Sequence, residues 1–156
     1  MSNTTEAGIV FDPACKKDDA PPASFPGKLT AFLYERWKLG LRGFIILSCE
    51  LIDHNGGELK RCVDKYIDLW DLEPEFKAWT ERENLFCSTL VDRIVTGYPR
   101  AEAEGICREL GYQDDILDTG EVFGFWVIEG PQSIKDEFPV EKAGLPIIVV
   151  DDHTPY

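Results

Sequence analysis

Apolar positions recur along this chain with two periods, and together they predict an alternation of helices and strands. Leu29, Phe32, Leu33 and Trp37 fall at helical spacing within Lys28 to Lys38 and predict an amphipathic helix with one buried face. Gly43-Phe44-Ile45-Ile46-Leu47-Ser48-Cys49 is close to continuously apolar, the pattern of a strand covered on both faces of a parallel sheet. Asn55, with Glu58 three residues on, has the form of a capping box opening the next helix. Leu59, Cys62, Val63, Tyr66, Ile67 and Trp70 then follow the i, i+3, i+4, i+7, i+8 rule, the clearest helical stripe in the chain.

Pro74 opens a shorter helix carrying Phe76 and Trp79 on one side, and Pro99 another, with Ala103, Ile106, Cys107 and Leu110 inward and Gly111 as its stop. Glu121 to Ile128 and Leu145 to Val150 read as strands, and Ala7 to Phe11 fits a short one. Asp12 to Gly27, punctuated by Asp12-Pro13, Pro21-Pro22 and Pro26-Gly27, reads as a long irregular loop, and Asp114 to Gly120 as another. Strands alternating with helices imply an α/β domain with a mostly parallel sheet and flanking helices.

Composition narrows the function classes. A chain of 156 residues, 44% hydrophobic, supports one core and leaves no room for two full domains. Its 29 acidic against 16 basic residues give a net charge of −13, which disfavours nucleic-acid phosphates and anionic lipid as partners. The longest apolar runs are of strand length, short of the ~20 residues of a membrane-spanning helix, and the N-terminus has no signal-peptide pattern, so a cytoplasmic protein is expected. Five cysteines, widely spaced and without Cys-x-x-Cys, favour neither a disulfide framework nor a structural zinc site, and no metal is expected.

Candidate chemistry concentrates in Phe86 to Pro99. Asp92 and Arg93 stand side by side between Leu90-Val91 and Ile94-Val95, where water should be scarce. A charged pair in that setting is either an ion pair or hinge that fixes one strand against another, or a functional site. Ser88 and Thr89 have no histidine in a recognisable nucleophile motif and fit hydroxyl packing or capping. The turn Glu50 to Asn55 is a second candidate, since a loop at the carboxyl end of a buried strand aims side chains at a bound substrate. Within it Asn55 is a weak substrate-binding candidate or a helix cap, and His54 an exposed turn residue or a titratable base.

Five stretches carry a resemblance: Ser2-Asn3-Thr4-Thr5-Glu6-Ala7-Gly8-Ile9, Ser24 to Thr30, Cys49-Glu50-Leu51-Ile52-Asp53-His54-Asn55-Gly56, Val91-Asp92-Arg93-Ile94-Val95 and Asp151-Asp152-His153-Thr154-Pro155-Tyr156. In this order they resemble the mannitol dehydrogenase family of long-chain, zinc-independent polyol and sugar-acid dehydrogenases, across essentially the whole chain. The resemblance implies an oxidoreductase that interconverts altronate and tagaturonate with NAD. It also implies Thr5 and Glu6 as cofactor contacts at the nicotinamide end, and Asp92 and Arg93 as lining or bracing the catalytic site. One departure stands out: where the wider family uses an asparagine directly after Cys-Asp or Cys-Glu to hold the substrate oxygen, this chain has Leu51.

Two parts of that family's machinery are missing here. No glycine-rich turn that would let the backbone approach a pyrophosphate is present, and neither is a Lys-x-x-x-x-Asn-x-x-His element supplying a general-base lysine. The chain therefore reads as a single partial domain over residues 1–156, the later part of a Rossmann-like N-terminal domain, expected to be inactive alone. A contrasting expectation, from a different class, is a non-catalytic acidic α/β module that binds a protein partner.

Overall fold

The computed structural model describes residues 1–5 and 7–156. Its elements are α1 (Phe25–Lys38), β1 (Ile45–Leu47), α2 (Asn55–Leu69), α3 (Pro74–Glu83), β2 (Leu85–Cys87), β3 (Thr89–Asp92), β4 (Val95–Gly97), α4 (Ala103–Leu110), β5 (Thr119–Gly120), β6 (Phe125–Glu129), α5 (Ile134–Glu137), a 3-10 turn (Val140–Ala143) and β7 (Ile147–Val150); helices and strands interleave without strict alternation, and the helix expected from Pro99 begins at Ala103. No helix among the described residues is long and apolar enough to cross a membrane.

The sheet is mixed. β1 and β2 pair in parallel, as do β6 and β7, whereas β3 runs antiparallel to β6 and β4 to β5. Only Ser88 separates β2 from β3, so one stretch of backbone, Leu85 to Asp92, pairs with β1 through its first half and with β6 through its second. Ser2 extends the sheet beyond β1, its N–H donating to the Leu47 carbonyl at 2.8 Å and its carbonyl accepting from Cys49 N–H at 2.9 Å.

Adjacent residues of β1 point to opposite faces, and each face has its own core. Ile46 joins Leu33, Leu59, Val63, Ile67, Phe76 and Trp79 of the three long helices, while Leu47 joins Cys87, Ile128, Ile134, Val140 and Val149. The stripe expected for α2 is buried as far as Ile67, and Trp70 caps the helix half-buried, its indole N–H donating to the Cys15 carbonyl at 3.0 Å. Tyr66 is fully buried, and its hydroxyl meets Ser24 Oγ at 2.7 Å and accepts from the Asp12 N–H at 2.9 Å, which anchors the long loop to α2.

Three expectations are corrected. Ser24 starts α1 three residues early, its Oγ accepting from Gly27 N–H at 3.0 Å, and the inward face carries Tyr34 while Phe32 is exposed. Ala7 to Phe11 forms no strand: Gly8 N–H closes a turn onto the Thr5 carbonyl at 2.7 Å, and Ile9 packs against the helical core rather than into a ladder. The setting of Asp92 and Arg93 is not dry, because Val91 and Ile94 are 42% and 62% exposed and both charged residues face solvent. Among the described residues Asp92 and Arg93 form no ion pair with each other; Arg93 Nε donates instead to the Glu121 carbonyl at 3.1 Å.

The N-terminus of α2 lies directly on the β2–β3 junction. A Cβ at Gly56 would overlap the backbone of Cys87 and Ser88, which cannot yield as a side chain can. Gly56→Ala is therefore expected to cost about 1–3 kcal/mol through overpacking, read from the midpoint of a urea unfolding curve; an unchanged midpoint would contradict this contact.

Candidate active-site cleft

Strand ends converge at Ser88. The ladder passes from Ser48 N–H, donating to the Cys87 carbonyl at 3.1 Å, to Glu129 N–H, donating to the Ser88 carbonyl at 2.9 Å. Beyond this point β1 has ended, and the N–H and carbonyl of Thr89 face the space a longer β1 would have filled. The Asn55 side chain occupies that space. Its Oδ1 accepts from Thr89 N–H and its Nδ2 donates to the Thr89 carbonyl, both at 2.9 Å, as a neighbouring strand would. The same amide donates to the Glu50 carbonyl and accepts from Gly56 N–H, again at 2.9 Å. An unpaired buried backbone group is costly, which is the reason for the clamp.

This corrects the capping box. Asn55 is the first residue of α2 rather than its cap, and the residue before it, His54, enters the helix from the left-handed region at φ 48°. Glu58 pairs with Arg61 on the helix surface. With 1% exposure and both ends of its amide committed, Asn55 is a structural tie beneath the cleft.

Glu50 is the second tie. Its Oε1 accepts from Ser2 Oγ, and from the N–H and Oγ1 of Thr4, each at 3.0 Å, so the N-terminal segment is bound to the β1–α2 turn. Burial opposes ionisation of this carboxyl, but the hydrogen bonds outweigh it and hold Glu50 below the usual glutamate range. Oε2 is buried and has no partner among the described residues.

Over these ties lies a cleft of about 470 Å³ whose walls come from three separated segments: Cys49 to His54, Thr89 to Val91, and His153, Thr154 and Tyr156. The first two follow the carboxyl ends of β1 and β2, and the third follows β7, which arrives from the opposite direction. Glu129 secures the third wall, its Oε2 bonding to His153 Nδ1 and accepting from His153 N–H at 3.2 Å. The His54 and His153 rings meet edge to face with centroids 5.2 Å apart. Burial raises the Cys49 thiol above its ordinary value and pushes Cys87 up to about 11, so neither is a ready thiolate.

Of the candidate residues read from sequence, the structure brings Glu50 to His54 and Thr89 to this cleft, holds Asn55 beneath it, and leaves Asp92, Arg93 and Thr5 apart. Asp92 and Arg93 line a smaller groove farther along β3 with Phe125, Trp126, Leu145 and Ile147. Thr5 is exposed at its turn, and Glu6 lies outside the described residues. Thr89 Oγ1 donates to the Ser48 carbonyl at 2.6 Å, and Ser88 Oγ accepts from Gly56 N–H at 3.2 Å, so both hydroxyls are packing groups. Sequence reasoning missed the roles of Glu50 and His153. No local spacing joins His153 to His54, and only the sheet makes them neighbours.

A sheet with parallel strand pairs flanked by helices, with a cleft at the strand ends, defines a Rossmann-type α/β fold. Residues 2–142 match the mannitol dehydrogenase Rossmann domain, and the chain belongs to the mannitol dehydrogenase family. It is 51% identical over 160 residues to an altronate oxidoreductase of Phocaeicola vulgatus and 52% to one of Pectobacterium carotovorum, in each case over all of this chain and 33% of the relative. The chain thus spans about a third of the length of these relatives. Among solved structures it is similar to a D-sorbitol dehydrogenase in substrate-free form, with TM-score 0.73 and 26% identity over 96% of this chain and 33% of that one. It also resembles in fold a Pseudomonas fluorescens mannitol 2-dehydrogenase, solved as a ternary complex with NAD and D-mannitol, with TM-score 0.74 and 23% identity over 99% of this chain and 33% of that one.

Asn55→Ala leaves the Thr89 backbone unpaired in a buried site and is expected to cost on the order of 3 kcal/mol; a loss within the scatter of surface substitutions, about 0.5 kcal/mol, would contradict the clamp. Glu50 gives a pH test. Because its folded pKa lies below the ordinary value of 4.5, its contribution is complete above that value and is lost as pH falls through the folded pKa. Glu50→Gln is expected to flatten the acid limb of the Tm-against-pH profile, and an unchanged limb would show that the carboxylate bonds contribute nothing.

Proposed function

We propose that this chain is the later part of the Rossmann-like domain of an NAD-dependent sugar-acid oxidoreductase that interconverts altronate and tagaturonate, and that it is inactive by itself. The observation that carries this reading is identity of about half over the whole chain to altronate oxidoreductases, combined with a cleft where a Rossmann-type sheet presents ligands. In this reading the Glu50 to His54 turn and Leu90 form the cleft wall beside the reacting sugar acid, and Thr5 and Glu6 are the nicotinamide contacts that the family resemblance implies. Asp92 and Arg93 act farther along β3, where the Arg93 bond to Glu121 braces the β3–β4 passage. Asn55 contributes by holding the wall rather than by touching substrate.

NAD, when bound, accepts or returns the hydride. The cleft walls bind, orient and exclude water, with Glu50 Oε1 engaged by Ser2 and Thr4 and, among the described residues, no lysine in the lining. In this reading the general-base lysine is supplied by the longer enzyme, as the family resemblance implies.

A chimaera tests this directly. Replacing the matching third of the Phocaeicola vulgatus enzyme by this chain is expected to preserve tagaturonate-dependent NADH oxidation, whereas the isolated chain shows none. A folded chimaera without turnover, or turnover by the chain alone, would contradict the reading.

A further inference from the structure

His153 is presented to the cleft by a carboxylate. Its Nδ1 bonds to Glu129 Oε2, which also accepts from the His153 N–H at 3.2 Å, so one oxygen fixes both the ring and its backbone. Nδ1 is then the protonated nitrogen, since an ionised carboxylate only accepts, and Nε2 of the neutral ring carries the lone pair. Among the described residues Nε2 has no hydrogen-bond partner, although the side chain is only 12% exposed. The His54 ring meets it edge to face, with centroids 5.2 Å apart. A nearly buried acceptor without a donor is costly until a ligand supplies one.

The lining decides which donor fits. The Glu50 and Asp53 carboxylates stand in the same walls, and among the described residues no lysine or arginine does. An anionic group placed here would meet like charge, whereas a hydroxyl, neutral and able to donate, would not. A ring nitrogen of His153 and a carboxylate oxygen of Asp53 lie within 4.8 Å of each other. Each hydroxyl donates a single proton, so two acceptors this close suit hydroxyls on neighbouring carbons. Leu51, Ile52, Leu90 and Tyr156 add apolar wall for the C–H groups between them. We propose that His153 Nε2, held by Glu129, accepts a hydrogen bond from a hydroxyl of the sugar acid, which lies with its hydroxylated carbons against this wall and its carboxylate turned away. His153 is thus a substrate-binding residue, and Glu129 a positioning residue that acts through it. This assignment rests on the oxidoreductase reading and names the part of the substrate that the chain recognises.

The test uses the full-length chimaera, with tagaturonate and its singly deoxygenated analogues as probes. His153→Asn can keep an N–H for Glu129 but has no atom at the Nε2 position, so it separates the tie from the substrate contact. The unsubstituted chimaera is expected to prefer tagaturonate over one analogue by about tenfold in kcat/KM, as one net hydrogen bond gives. In His153→Asn the KM for tagaturonate should rise by about that factor and the preference disappear, with the KM for NADH unchanged. Glu129→Gln, which no longer forces the proton onto Nδ1, should weaken the same preference and add nothing in the His153→Asn background. An unchanged KM for tagaturonate in His153→Asn overturns the proposal. So does a loss shared equally by every analogue or by NADH, which a merely structural role would give. Should His153→Asn fail to fold, Glu129→Gln carries the test, and full retention of the preference then overturns the proposal. Absence of turnover in the unsubstituted chimaera overturns the oxidoreductase reading, and this assignment with it, so the two failures are told apart.

Discussion

The Asn55 amide stands where a strand would be. β1 stops at Leu47, yet the backbone it pairs with runs on as β3, and Thr89 would otherwise bury an N–H and a carbonyl with nothing opposite them. One planar side chain supplies both a donor and an acceptor at that point, and bonds in addition to Glu50 and Gly56. The consequence is geometric: the start of α2 is pressed onto Cys87 and Ser88, closely enough to require glycine at 56. Space opens above the truncated strand, and that space is the cleft.

Backbone pairing fixes the floor, and side chains from three separated segments form the walls. Glu50 ties the N-terminal segment to the first wall, and Glu129 holds His153 in the third. Both carboxylates are engaged by donors from distant parts of the chain, so the cleft is assembled by long-range contacts rather than by any one loop. Its acidity is local as well as global, which for a chain of net charge −13 bears on which ligands enter: an anionic sugar acid needs compensating cationic groups that this cleft does not itself provide. The remaining two thirds of the relatives' length is one source of such charge.

Much of the fold was legible from periodicity. The α2 stripe, the buried β1 run and the Gly111 stop of α4, with φ 80°, follow from spacing and backbone chemistry alone. The resemblance to the mannitol dehydrogenase family rested on motif order, and the family match agrees with it. What the pattern did not reveal were events that depend on distant partners. Asn55 and Glu58 have capping-box spacing, but the strand at Thr89 competes for the asparagine more effectively than its own helix does. Asp92 and Arg93 have apolar neighbours, yet β3 is covered along Thr89 and open by Val91, so their surroundings are wet. His54 and His153 are far apart in sequence and share no motif.

One side chain holds the turn to the strand, and amide hydrogen exchange reads that directly. The Thr89 and Gly56 N–H groups donate to Asn55 Oδ1 rather than to any backbone carbonyl, so they are expected to exchange as slowly as the buried ladder amide of Ser48, which donates to the Cys87 carbonyl, and to open only with global unfolding. Exchange of Thr89 at the rate of an exposed amide such as Val122 would show that the clamp is not formed and that the cleft has no fixed floor.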